Sequence, residues 1–264
     1  MQPLSSMPRE TAARIHTLFA DIDDTVTTHG HLTVEAYAGL EMLKRAGIRV
    51  VLVTGRPAGW CDHIARMWPV DAVIGENGAF YAWHDAAARK LRTRHVFDEA
   101  TRNANASRMK SVADRVLREV PGTALASDQF CRLYDIAIDF CEDVPPLAVA
   151  DVQRIVAILE GAGMTAKVSS IHVNGWFGSY DKLAMARLYA RERCGFELDE
   201  ERERCVFVGD SPNDAPMFGY LPNSVGVANV TRFALPAAQA PAYVTPSEAG
   251  AGFAQLARFL VAAR

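Results

Sequence analysis

Two carboxylates stand two residues apart in Asp21-Ile22-Asp23-Asp24-Thr25, directly after the apolar run Leu18-Phe19-Ala20. Side chains along a strand alternate with a period of two, so Asp21 and Asp23 lean toward the same space where a buried strand surfaces into a loop. One can attack phosphorus while the other handles the proton, the division of labour that phosphoryl transfer requires. An unpaired carboxylate pair repels itself and favours a shared proton or a bound cation. Magnesium suits it, being a hard ion held by one or two carboxylates together with waters and substrate phosphate. An isolated D-x-D is more often a solvated acidic turn, but this one has companions.

The elements that must position such residues are legible on either side of it. From residue 15 to about 80, short apolar runs alternate with amphipathic segments, as in strand-helix-strand units. Thr33 can cap a helix carrying Ala36, Leu40 and Leu43, and Gly47 can stop it. The continuous run Arg49–Val53 reads as a parallel strand covered on both faces. Trp60, Ile64 and Met67 mark a second helix, and Asp71 to Ile74 a third strand. From about Phe80 to Tyr180 the grammar changes to paired strands and two long helices. Tyr81 to Trp83 and Leu91 to Phe97 flank a polar turn, and Ile136, Ile138 and Phe140 alternate as on a sheet with one covered face. The helical stripes are Met109 to Val120 and Val152 to Leu159. The first grammar then returns with a helix around Met185 to Tyr189, strands at Cys205 to Val208 and Val225 to Val227, and a last helix around Phe253 to Leu260. The fold expected is α/β: a doubly wound, mostly parallel, Rossmann-like core sheet built from residues 1–84 and 180–264, with an α+β cap inserted at 85–179.

In open α/β sheets ligands bind beyond the carboxyl ends of the strands. Thr54-Gly55-Arg56-Pro57 offers there a hydroxyl, a close backbone approach and a helix N-terminus that favours an anion, although Thr54 serves equally well as a plain helix cap. Val206-Phe207-Val208 runs into Gly209-Asp210-Ser211-Pro212-Asn213-Asp214, where Asp210 could complete a magnesium site with Asp21 while Asn213 and Asp214 orient it. The same turn could simply bond to its own backbone. Lys182 of Asp181-Lys182 could place positive charge on a phosphate, though most lysines are solvated.

Together these elements resemble the haloacid dehalogenase superfamily of phosphohydrolases: DIDDT, VVLVTGR, the lysine of DK and VFVGDSPND match its four motifs in order. Gly75-Glu76-Asn77-Gly78-Ala79 and the insertion resemble its Cof-like branch with a type-IIB cap, which includes sugar-phosphate phosphatases and phosphomannomutases. The resemblance implies that Asp21 is the nucleophile, forming an aspartyl-phosphate, and that Asp23 is first acid and then base. It further implies that Thr54, Gly55 and Lys182 hold the phosphoryl group. Magnesium would be bound by Asp21, the Asp23 backbone carbonyl and Asp210, with Ser211, Asn213 and Asp214 behind them. Asp24 stands where the family often has glycine.

The cap should close over this site and read the substrate. Arg56, Asn77, Asn174 and His172 are candidates for that contact. Trp176 reads rather as packing. Asn174-Gly175 equally suits a hairpin turn, and Arg92, Arg94 and Arg132 an open, solvated face.

The net charge of −3 and the lack of any long Lys/Arg block argue against nucleic acid or an acidic membrane as partner. Five cysteines without C-x-x-C spacing read as reduced thiols in a cytoplasmic protein. Met1 to Arg14 lack the apolar core of a secretion signal, and no run of apolar residues is long enough to span a bilayer. The expectation is a cytoplasmic, magnesium-dependent phosphatase, monomer or homodimer, acting on a small phosphorylated metabolite such as a sugar phosphate. A phosphomutase is the nearest rival. A phospho-acceptor receiver or a non-catalytic binding module on the same fold stands further off, since a stable switch should lack Asp23 and needs no lid.

Overall fold

The computed structural model describes residues 1–169 and 171–264. In chain order the first part contains β1 (Gln2–Pro3), α1 (Arg9–Arg14), β2 (Thr17–Ala20), α2 (Val34–Arg45), β3 (Arg49–Val53), α3 (Ala58–Met67), β4 (Ala72–Gly75), β5 (Phe80–Asp85) and β6 (Lys90–His95). The middle holds α4 (Glu99–Glu119), β7 (Ala124–Leu125), β8 (Asp135–Asp139), α5 (Val149–Gly161), β9 (Thr165–Val168) and β10 (His172–Trp176). The last part adds α6 (Lys182–Tyr189), α7 (Leu198–Glu201), β11 (Cys205–Gly209), α8 (Ala215–Tyr220), β12 (Val225–Gly226), β13 (Tyr243–Val244) and α9 (Ala249–Ala262).

The large sheet runs in the order β1-β13-β12-β11-β2-β3-β4-β5-β6, parallel except for β4-β5 and β5-β6. Its central strands are apolar on both faces, which is why they read as continuous runs rather than alternations. Leu18, Val50, Leu52, Val206 and Val208 pack on one side with Leu40 and Leu43 of α2 and Phe253 and Leu256 of α9. Phe19, Val51, Val53 and Phe207 pack on the other with Met185 and Tyr189 of α6 and Met217 and Phe218 of α8. Helix α2 begins as expected, with Thr33 accepting the Ala36 N–H at 3.3 Å, and Gly47 takes the left-handed turn beyond its end at φ +72°. The register Cys205↔Thr17 to Val208↔Ala20 brings β11 and β2 side by side, so their exits at Asp21 and Asp210 meet at one sheet edge.

The small sheet, β7-β8-β10-β9, is antiparallel throughout and carries α4 and α5 on one face. Ile136, Ile138 and Val173 point to those helices, against Met109, Val116, Ile155 and Leu159.

Three local expectations change. The hairpin at 80–95 extends the large sheet, because β6 is hydrogen-bonded to β5 from Phe80↔His95 to Asp85↔Lys90. We therefore propose to begin the insertion after His95 rather than at residue 85; the change from parallel to antiparallel grammar marks a sheet edge, which from sequence looks the same as a new domain. Helix α3 buries Cys61, Ile64 and Ala65, whereas Trp60 and Met67 are exposed, Trp60 lying beneath the Arg56 guanidinium at 4.7 Å. β8 is buried along its whole length instead of on one face, its acids Asp135 and Asp139 being covered by Arg132 and Asn174 and by the 141–143 backbone. Among the described residues no helix is long and apolar enough to cross a membrane.

Candidate active site

Lys182 is the first residue of α6, and its position is set locally. The Asp181 carboxylate caps the helix by accepting the Ala184 N–H at 2.7 Å. Gly78, at φ +107°, lets the chain after β4 press against it: a Cβ there would stand 2.1 Å from the Asp181 carbonyl oxygen. Lys182 then reaches inward, 4% exposed, and its ammonium donates to Asp21 Oδ1 and Asp214 Oδ1, each at 2.7 Å. Burial pulls its pKa down, but Asp21 and Asp214 outweigh burial and hold the ammonium above its usual value.

One carboxylate oxygen each from Asp21, Asp210 and Asp214 lies within 4.8 Å of the others. Asp214 is the most committed: besides Lys182, its Oδ2 accepts the N–H groups of Asp210 at 3.1 Å and Ser211 at 3.4 Å, folding the 209–214 loop around it. Asp210 accepts the Asn229 amide at 3.1 Å and the Thr25 hydroxyl at 3.4 Å. Burial, with the neighbouring carboxylates, pushes Asp210 up to about 9. Asp21 goes up to about 8 from burial, with Asp214 and Asp23 adding to it and Lys182 opposing. Three hard oxygen donors, two on groups that resist ionising together, fit a hard divalent cation.

Asp23 lies outside this cluster but lines the same cavity as Asp21 and Asp210. Its Oδ1 accepts from the Arg56 guanidinium at 2.9 Å, and the same guanidinium lies 3.5 Å from Glu142 and 3.7 Å from Asp128, both in the middle part of the chain. Thr54 is fully buried, and its hydroxyl accepts the Arg56 N–H at 2.9 Å; it does not line the cavity.

That cavity, of about 30 Å³, lies between the two sheets. From the large sheet come Asp21, Asp23, Gly55, Arg56, Asn77, Asp210, Ser211 and Asn213; from the small one Arg132, Ser169, Ile171, His172 and Asn174. Asn77 is in the left-handed region at φ +56°, and its buried Nδ2 has no hydrogen-bond partner, an orphan donor suited to a ligand oxygen. Ser211 donates to Asn213 Oδ1 at 2.7 Å. Asn174 is mid-strand rather than in a hairpin turn, and donates to Asp135 Oδ2 at 3.0 Å. His172 Nε2 lies 2.8 Å from Glu142, an interaction that keeps Glu142 below the usual carboxylate range. Trp176 packs, as expected, stacked on Tyr180 at 5.6 Å.

All four residues named as substrate candidates line the cavity. Sequence reasoning missed Arg132, whose side chain is 1% exposed rather than open, bonded to Asp128, Asp135 and the Gly55 carbonyl. It also left Glu76 without a role. The flanking glycines of Gly75-Glu76-Asn77-Gly78 were the available signal: an acid at such a close approach is a candidate for burial.

Comparison with known proteins agrees with this geometry. Residues 18–106 match the family profile of haloacid dehalogenase-like hydrolases. A phosphoglycolate phosphatase of Pyrobaculum neutrophilum is 31% identical over 242 residues, covering 89% of this chain and 91% of the relative. A crystal structure of Thermoplasma acidophilum 0175 superposes with TM-score 0.71 at 18% identity, covering 93% and 98% of the two chains. The C-terminal domain of a C. albicans trehalose-6-phosphate phosphatase gives TM-score 0.72 at 11% identity, covering 99% and 98%. The chain belongs to the haloacid dehalogenase-like hydrolases, in their Cof-like branch, and is an enzyme of the phosphoric-monoester-hydrolase class.

Proposed function

We propose that this enzyme hydrolyses a small phosphorylated metabolite with magnesium, through a phosphoryl group carried on Asp21. The observation that supports it most is Lys182 bridging Asp21 and Asp214 beside Asp210 at one sheet edge. Asp21 attacks phosphorus and the bond to the leaving oxygen breaks; Asp23, gripped at Oδ1 by Arg56, gives that oxygen its proton. Asp23 then takes a proton from water as the water attacks phosphorus, and the bond to Asp21 breaks to release phosphate. Gly55 and Asn77 orient the phosphoryl oxygens; Lys182, which like Thr54 does not line the cavity, acts through its bond to Asp21, while Thr54 holds the Arg56 backbone that shapes the loop. Magnesium held by Asp21, Asp210 and the Asp23 carbonyl would neutralise charge on the transferring group. Ser211, Asn213 and Asp214 keep that loop in place.

A compact leaving group is the first reading, after the name of the Pyrobaculum relative. A sugar phosphate is the second reading, favoured by the hydroxyl-binding character of Asn77, Asn174 and His172. A screen of 2-phosphoglycolate, hexose phosphates, a hexose bisphosphate and nucleotides, with magnesium and with chelator, tests both. The expected result is free phosphate from a compact substrate, lost on chelation; a re-phosphorylated isomer from the bisphosphate would instead indicate a mutase. Cys61, Cys131, Cys194 and Cys205 form no disulfide, in keeping with a cytoplasmic setting.

The carboxylate cluster has a pH signature. Asp21 and Asp210 have folded values near 8 and 9, raised from an ordinary 3.8. The metal-free folded chain thus binds protons that the unfolded chain has lost, so its stability falls as pH rises through that window. A cation offsets this loss. The gain in Tm on adding magnesium should be larger at about pH 9 than at about pH 6; an equal gain, or none, would contradict the cluster as a cation site.

A further inference from the structure

We propose that Glu76 is a positioning residue whose buried carboxylate latches the segment Leu133–Asp135 of the inserted part onto the core, setting the cavity wall over the nucleophile. Glu76 leaves β4 in the left-handed region at φ +43° and is completely buried. Its Oε1 accepts the N–H of Ala58, at the start of α3, at 3.0 Å and that of Leu133 at 2.9 Å. Its Oε2 accepts the N–H groups of Leu133 at 3.0 Å, Tyr134 at 2.6 Å and Asp135 at 3.2 Å. These partners are all donors, so an acceptor-only carboxylate is what the pocket fits. Because the donors are backbone, the latch fixes chain position, not side-chain identity.

What it fixes is the entry to β8. Asp135, the last residue gripped, holds Arg132 Nη1 and the Asn174 amide at 3.0 Å each, and Arg132 returns to the Gly55 carbonyl at 3.1 Å. Arg132, Asn174 and Gly55 all line the cavity with Asp21. Glu76 itself does not line it, so its effect on turnover passes through these residues. The pairs of Arg56 with Glu142 and Asp128, which also join the two parts, are longer side-chain contacts of 3.5 and 3.7 Å.

Hydrogen exchange and steady-state kinetics with p-nitrophenyl phosphate test this on wild type, Glu76→Gln and Glu76→Asp. In wild type, the amides of Leu133, Tyr134 and Asp135 should exchange as slowly as those of β8. In Glu76→Gln, which turns an N–H₂ group toward these donors, they should exchange about tenfold faster or more, with β2 and β11 unchanged. KM should rise about fivefold or more with kcat within about threefold, since the loosened wall costs binding before chemistry; Glu76→Asp, which keeps the charge, should fall between. Rapid exchange at 133–135 in wild type, unchanged exchange in Glu76→Gln, or a kcat loss at constant KM, as expected from a smaller folded fraction, would overturn the proposal. The kinetic arm rests on the phosphatase reading and the exchange arm does not, so a wild type without turnover would sink the former alone.

Discussion

Asp21→Asn is expected to lower kcat for phosphate release by on the order of ten-thousand-fold or more, because in the mechanism proposed above Asp21 supplies the attacking oxygen. The same variant stays folded and is as stable as the wild type, or more so. Asp21 is 5% exposed, and burial beside Asp210 and Asp214 makes its charge costly to hold; an amide of the same shape removes that cost. Lys182 keeps Asp214 as its partner at 2.7 Å. Phosphate release and a denaturation midpoint, measured on the same preparation, separate the two effects. If stability collapsed along with activity, Asp21 would be a structural support rather than the nucleophile.

Lys182→Met carries the largest expected loss of stability, about 3–5 kcal/mol, the usual cost of removing one member of a buried ion cluster. Methionine roughly fills the volume of the lysine stem, so the loss reports charge rather than a void. Without the ammonium, Asp21 and Asp214 face Asp210 uncompensated in the interior. Turnover should fail as well. Adding Asp21→Asn to Lys182→Met should recover part of the lost stability, because the two groups are coupled. Urea unfolding of the single and double variants checks this; a cost below about 1 kcal/mol for Lys182→Met would mean that the pair behaves as a solvated one.

The core and the placement of its acidic cluster were legible because the strand runs and their exits are local patterns. Asp21, Lys182 and Asp210 were each named from a few neighbouring residues, and the register of β11 against β2 then brought two of them together. What escaped depends on which surfaces meet. The strand at 90–95 reads as polar and alternating whether it edges the large sheet or opens a separate one. β8 reads as one-sided because Asp135 and Asp139 are acids, yet both are buried, Asp135 by Arg132 and Asn174 and Asp139 by the N–H groups of Cys141, Glu142 and Asp143. Arg132 and Glu76 look like surface charges until Gly55, 77 residues from the first, and Leu133, 57 residues from the second, close around them. A charge that is buried by a distant backbone leaves little trace in its own neighbourhood.

The most direct measurement is rapid acid quench of the enzyme during turnover, followed by intact-mass and peptide mass spectrometry. The account predicts a single phosphoryl adduct, removed by hydroxylamine as an acyl phosphate is, on the peptide containing Asp21 and absent from Asp21→Asn. Turnover with no adduct at any quench time, or an adduct mapping to another residue, would contradict it.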